Sequence, residues 1–370
     1  MKLKKNNILI IVNTYFQLIV AISLKLNILK EENVDILLSD RSYNAKKIFY
    51  QLKRQNLFRN CYYADINFVS DKKKNYFTKM LRVIYPNMIL KHVNIKQYEY
   101  DYLFFYNKDI LTISILNKIY KVNKDIKVCR YEEGFGSYLE DTNLGTEKLF
   151  NVISTLTHKP TINKLTINYY CYNPDLMLLN KKFIFKELPK ITREDSNFVN
   201  IANNIFEYNI ESYNVYKRKY IFFEESFFCE GKDIDDLNLV LEIAKIVGKE
   251  NLIVKLHPRN KIDRFKKYGI ITNETVGIPW EIIQMNNDFS KNVFLTISSG
   301  SVLASRLYFN DKIKTYLLFN CTNKMSDMVT NNYFKYLDNV NKKFGLDNFV
   351  IPQNMEDFLI KLKGEINGER

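Results

Sequence analysis

Residues 100–133 read YDYLFFYNKDILTISILNKIYKVNKDIKVCRYEE. YDYLFFYN has the length and aromatic content of a buried strand, and DIKVCRYEE at the far end has the same character. Between them, DILTISILNKIYKVN repeats its apolar residues at helical spacing, with Asp109 where an N-cap belongs. Strand, helix, strand over so short a stretch predicts a βαβ unit, and βαβ units build parallel sheets.

The same alternation continues on both sides. Upstream, NILIIVNT reads as a buried strand, YFQLIVAISLKLNILK as its helix, VDILLSD as a second strand, and residues 44–55 as a second helix. Residues 187–215 are more polar, carry a proline near their start, and read as a passage between domains. A second series follows: YIFFEES, NLIVKLHP, VFLTISSG and KIKTYLLF as strands, with DIDDLNLVLEIAKIVGKE, PWEIIQMN and SVLASRLYF as helices. No internal repeat or low-complexity tract interrupts either series. The expected fold class is α/β, with two Rossmann-like domains, 1–186 and 187–370, facing each other across a cleft.

The bulk numbers bound the function. A chain of 370 residues, 46% hydrophobic and 26% charged, is globular and long enough for two domains. Tyr and Phe number 26 each against a single Trp, so the cores should be rich in rings. The net charge of +14 attracts nucleic acid, anionic membrane or an anionic small molecule. The lysines are scattered, and no segment interleaves arginine with aromatic platforms, so nucleic acid is the less supported partner. Five cysteines without a CxxC pair, and only three histidines, argue against a zinc cluster and for free thiols in a reducing compartment. The apolar NILIIV is interrupted by Asn13, Thr14 and Gln17, with no small-residue cleavage site after it. No apolar stretch reaches the roughly 20 residues that span a bilayer. The expected location is the cytoplasm, with attachment to the inner face of the cytoplasmic membrane left open.

Open parallel sheets bind ligands beyond the carboxyl ends of their strands. The residues read at those ends are Asn13-Thr14, Glu132-Glu133, Glu224-Glu225, His257 and Ser298-Ser299. In CRYEEGFGSY, 129–138, two adjacent acids precede a glycine-containing turn; they are an exposed turn or a reaction centre. KLHP sets Lys255, His257 and Pro258 at a strand end, where an imidazole and an ammonium could meet a phosphate. TISSGSVLASRL ends a strand in Ser298, Ser299 and Gly300 and starts a helix at once, a combination suited either to capping or to an anion. In IPWEII, Glu281 is ordinary helix-start chemistry or a carboxylate gripping the two hydroxyls of a ribose. DIDD contains the D-x-D of metal-dependent sugar transferases, but it opens a long amphipathic helix and reads as a cap. No Walker or dinucleotide-binding glycine motif is present.

Taken together, YEEGFGS, KLHP and TISSGS resemble the D/E-D/E-G, HP and Ser-Ser motifs that bacterial sialyltransferases carry on a GT-B fold. VNTYFQLIVAI is similar to the NTPYQL opening of the lipooligosaccharide sialyltransferases, with Tyr15 where that family usually has proline. The resemblance runs from Asn13 to Ser299. It implies that Glu133 is the general base for the acceptor hydroxyl and that Glu132 supports it. It further implies that His257 is acid or phosphate partner beside Lys255 and Pro258, that Glu281 binds the ribose of CMP, and that Ser298, Ser299 and Gly300 bind its phosphate. Asn13, Thr14 and Gln17 would line the N-terminal side of the cleft. The implied reaction is inverting transfer of sialic acid from CMP-sialic acid to a cell-surface glycan, lipooligosaccharide or capsule, with no cofactor and no metal. The implied partners are the donor and a lipid-linked glycan acceptor, with no nucleic acid and with a homodimer left open. Hexosyl or Kdo transfer on the same scaffold is the nearest alternative, and a basic nucleic-acid-binding protein is the alternative of a different class.

Overall fold

The computed structural model describes residues 4–66, 87–139, 161–178, 183–273, 277–325 and 329–368, with residues 81, 84, 85, 152, 155 and 327 besides. The chain divides into two compact units, Met1–Ile191 with Ser196–Phe206, and Thr192–Asp195 with Glu207–Arg370.

The first unit is built on strands β1 (Asn7–Val12), β2 (Asn33–Ser39), β3 (Asn60–Ala64), β4 (Tyr102–Phe105), β5 (Lys127–Tyr131), β6 (Thr166–Cys171) and β7 (Ile184–Glu187). They pair in the order β3-β2-β1-β4-β5-β6-β7, and every pairing is parallel. A parallel sheet is covered on both faces, which is why NILIIV and YLFF are continuous apolar runs rather than alternating ones. Helix α1 (Tyr15–Leu26) opens on Thr14, whose hydroxyl accepts the N–H of Gln17. Helix α2 is Ala45–Arg54, and helix α3 (Ile110–Val122) opens on Asp109, which caps the N–H of Thr112 at 2.9 Å. Helix α4 (Ser196–Phe206) lies within the polar stretch read as an interdomain passage and packs on α1 and α2 of this unit, with the Phe206 ring edge-on to Tyr15.

The second unit holds β8 (Tyr220–Phe223), β9 (Leu252–Lys255), β10 (Ile271–Thr272), β11 (Val293–Thr296), β12 (Lys314–Leu317) and β13 (Phe349–Val350), paired in parallel in the order β10-β9-β8-β11-β12-β13. Its longer helices are α5 (Asp236–Val247), α7 (Ser301–Tyr308), α8 (Asn331–Phe344) and α9 (Met355–Gly368), with the short α6 (Trp280–Met285) before β11. Trp280 is sunk in a nest of rings, 4.7 Å from Phe223 and 4.9 Å from Phe289 between centroids, and this anchors the start of α6.

In each sheet the strand order reverses once, between β1 and β4 and between β8 and β11. Those reversals are where an open α/β sheet leaves a crevice at its carboxyl edge. Among the described residues, no helix is long and apolar enough to cross a membrane.

Candidate active site

At the first reversal the polar residues are tied to one another. The backbone N–H of Asn13 donates to Gln17 Oε1 at 2.7 Å, and Asn13 Oδ1 accepts from Ser39 at 2.7 Å. The amides of Asn13 and Gln17 both donate to Asn107 Oδ1, at 3.1 and 2.8 Å, and Asp109 also receives Arg41 at 3.0 Å. Asn13 and Gln17 are buried. With Thr14 capping α1, these three residues lock the loops after β1 and β4 together.

One strand further along, β5 delivers Glu132 and Glu133 to its carboxyl end. Glu132 is fully buried, receives the Tyr138 hydroxyl at 2.5 Å and the backbone N–H of Tyr172 at 2.8 Å, and its own N–H continues the ladder to Tyr170. A buried carboxylate held by several donors is a structural fixture. Glu133 is half-buried, and its backbone N–H donates to Ser137 Oγ at 2.8 Å. Gly134 follows with φ +87, a left-handed conformation that suits glycine and turns the chain sharply away from the sheet. Burial raises the Tyr131 hydroxyl well above its usual range, and the charge of Glu133 adds to this, so the two groups sense each other. The adjacent acids thus divide: one faces into the protein and one stays at the rim.

In the second unit, the rows after β8, β9 and β11 come together because Phe223 pairs with Lys255 on one side and with Thr296 on the other. His257 donates its backbone N–H to Glu224 Oε2 at 2.9 Å. Glu224 Oε1 takes Arg264 at 2.9 Å, and Arg264 also grips Asp236 at 2.6 Å. His257 Nδ1 accepts the N–H of Arg259 at 3.2 Å, which leaves the imidazole proton on Nε2. Burial, with Lys255 and Arg259 nearby, pushes His257 down to about 3, so at neutral pH it is an uncharged ring with an N–H to offer. Lys255 is lowered by burial and partly restored by the charges of Glu281 and Glu224; Glu281 is raised by burial and partly restored by Lys255. Lys255, Glu281 and the residues about His257 therefore form one electrostatic group, with Pro258 exposed beside it.

The serines have separate duties. Ser298 is buried and gives both its N–H, at 2.6 Å, and its hydroxyl, at 2.9 Å, to Glu225. Ser299 donates its N–H to Thr296 Oγ1, while its own hydroxyl accepts the N–H of Ser301 in the first turn of α7, just after Gly300. Burial pushes the Glu225 carboxyl up to about 7 in spite of those donors. The D-x-D stretch is spread over three tasks. Asp233 pairs with Lys324, Asp235 caps α5 through Asn238, and Asp236 holds Arg264. Among the described residues, no group of three or more His, Cys, Asp or Glu could hold a metal ion.

The model of the alpha-2,8-polysialyltransferase family matches residues 8–318. The chain belongs to that family. It is therefore a glycosyltransferase of the sialyltransferase class, and the family works on a nucleotide-sugar donor and a glycan acceptor. Among solved structures, a UDP-glucosyltransferase from Polygonum tinctorium shares 8% identity at TM-score 0.51, with 98% of this chain and 90% of that one covered. Arabidopsis thaliana UGT89C1 complexed with UDP shares 12% at TM-score 0.51, covering 97% and 90%. A glycosyltransferase from Rickettsia africae shares 13% at TM-score 0.41, covering 98% and 99%. The two parallel-sheet units and the likeness to the two plant glycosyltransferases make the fold GT-B. Comparison with curated proteins gives no significant match.

For this polysialyltransferase-family chain, sequence reading gave Glu225 no task beyond its place at a strand end, took Asp236 only as part of the capping DIDD, and missed Arg264. The acids of YIFFEES stand at the end of β8 as Glu132 and Glu133 stand at the end of β5, and that parallel was the available signal. The ion-pair triad of Arg264, Glu224 and Asp236 joins residues far apart in the chain, and no local pattern announces it.

Proposed function

We propose that the chain transfers sialic acid from CMP-sialic acid to a hydroxyl of a cell-surface glycan, with inversion at the anomeric carbon and without a metal ion. The α-2,8 linkage in the family's name supports O8 of a terminal sialic acid as the acceptor, and the proposed carrier is a capsule or lipooligosaccharide chain. Glu133 takes the proton of the acceptor hydroxyl as its oxygen bonds to the anomeric carbon. The bond from that carbon to the phosphate oxygen breaks, and its electron pair leaves with CMP. One displacement needs one base. The leaving group is a single phosphate, whose charge can be met by side-chain and backbone donors.

The observation that carries this reading is the state of His257. Its Nδ1 is already occupied and its ring is uncharged at neutral pH, which leaves the Nε2–H as a donor beside Lys255 at the carboxyl edge of β9. Such a ring serves a phosphate as a hydrogen-bond donor rather than as a proton source. Glu281, next to the anchored Trp280, is the candidate for the ribose hydroxyls, and Ser298, Ser299 and Gly300 at the α7 start for the phosphate. The net charge of +14 suits an anionic donor and an acceptor at an anionic membrane face.

A nucleotide panel read by thermal shift tests it. CMP should stabilise the protein by mass action, and UMP, ADP and UDP much less. A larger shift with UDP than with CMP would replace sialyl transfer with hexosyl transfer.

A further inference from the structure

We propose that Glu225 sets the direction of the Ser298 hydroxyl and so couples binding of a nucleotide phosphate in the second unit to the uptake of one proton. The inference rests on the donor reading given above and adds a proton to it.

The geometry is specific about which oxygen does what. Glu225 Oε1 accepts the Ser298 N–H at 2.6 Å and the Thr296 hydroxyl at 3.3 Å. Glu225 Oε2 is met by the Ser298 hydroxyl at 2.9 Å. An ionised carboxylate only accepts, so Ser298 must spend its hydroxyl proton on Oε2 and turn its lone pairs outward. An arriving phosphate then faces lone pairs, with a carboxylate charge behind them. A proton on Oε2 reverses the bond. The acid donates to Ser298 Oγ, and the serine proton becomes free for the phosphate. The one new bond is the O–H formed on Oε2 by the proton taken from solvent, and the network keeps every partner.

The site is placed to make this matter. Glu225 and Ser298 follow β8 and β11, the two strands at the reversal of the second sheet. Burial holds the Glu225 proton on up to about pH 7, and Asp236 at the start of α5 adds to the effect. From α8, Tyr333 faces the same carboxyl, and its own hydroxyl is held in the neutral form by burial and by the charge of Glu225. On the β9 side Lys255 answers to Glu281 and Glu224, and His257 stays neutral throughout this window. Of these groups, Glu225 is the one whose carboxyl burial pushes up to about 7.

The test needs a ligand whose charge is constant, because the phosphate of CMP itself titrates near about 6. The methyl ester of CMP is a phosphodiester with one charge across the range. Titration calorimetry from about pH 5.5 to 8.5, in buffers of different ionisation enthalpy, should show affinity falling toward about tenfold per pH unit above the Glu225 midpoint. Proton uptake should approach one per site on the alkaline side. In Glu225→Gln, the amide oxygen can accept the Ser298 N–H while the amide nitrogen donates to Ser298 Oγ, which imitates the protonated acid. Its affinity should be flat with pH at the acid-limit value of the wild type. Ser298→Ala removes the hydroxyl proton meant for the phosphate while Glu225 keeps its charge change, so it should bind more weakly at acid pH and show a shallower slope than the wild type. A wild-type affinity independent of pH, or a slope that survives in Glu225→Gln, overturns the coupling while leaving the donor reading intact. Absence of binding by the wild type at every pH overturns the donor reading itself, and the coupling with it.

Discussion

The Tyr138 hydroxyl donates to Glu132 Oε2 at 2.5 Å, inside a region where Glu132 has no exposure at all. The same oxygen takes the N–H of Tyr172. Glu132→Ala would strand two buried donors, each at about 1–3 kcal/mol. Denaturant unfolding should therefore show a loss of several kcal/mol, whereas Glu133→Gln, half-buried at the rim, should change stability by less than about 0.5 kcal/mol. Equal stability losses in the two variants would erase the division of labour between the adjacent acids.

The D-x-D stretch yields a prediction about metal. Asp235 accepts from the backbone N–H and the side chain of Asn238 at the start of α5, and Asp233 is paired with Lys324 on the exposed surface. Asp235→Ala should cost about 0.5–2 kcal/mol as a lost cap, and Asp233→Asn should cost little because exposed ion pairs contribute little. Turnover should survive both substitutions and treatment with EDTA. Activity that disappears in EDTA and returns with manganese would assign this stretch to a cation.

Much of this arrangement was legible in the chain, and the illegible parts share a cause. NILIIV, YLFF, YIFF and VFLT announce themselves because the central strands of parallel sheets are apolar on both faces. The outer strands do not. NCYYA, TINYYC and IFKE mix polar residues into short runs, and β10 and β13 are two residues each. Helix α4 was hidden for another reason: SNFVNIANNIF is rich in asparagine, and its apolar face matters only through α1 and α2, which lie far away in the sequence. The strand-end rule picked out the candidate positions, but it could not say that Ser298 turns inward to Glu225 while Ser299 turns to the helix start.

Glu225 and His257 bend the pH dependence of stability in opposite directions. Glu225 is raised in the folded protein to about 7, so its contribution is full below the ordinary carboxylate range and is lost as pH rises through about 7. His257 is lowered to about 3, so its contribution is present above the ordinary histidine value and is lost as pH falls toward 3. Thermal melts of Glu225→Gln and wild type should therefore draw apart in favour of the variant as pH rises from about 4.5 to 7. A gap that is constant across that window would show that the carboxyl titrates elsewhere.

The sharpest contrast lies between Glu133, at the carboxyl end of β5 in the first unit, and His257, at the end of β9 in the second. Removing a positioned base typically costs about 10²–10⁴-fold in rate. Glu133→Gln keeps the shape of the side chain and should lose turnover on that scale while CMP affinity stays near the wild-type value. On the proposed reading His257→Ala removes a neutral donor to the phosphate in ground and transition states alike, so it should weaken CMP binding and lower turnover together. Its pH profile should also keep the wild-type shape near neutrality, because an imidazole held to about 3 does not change charge there. Calorimetry with CMP and a donor-consumption assay over the same pH series separate the two roles. If Glu133→Gln keeps more than about a tenth of wild-type turnover, well short of the loss expected for a base, the proton goes elsewhere. Because Glu132 is buried and already receives the donors of Tyr138 and Tyr172, the search would then have to leave this pair of acids.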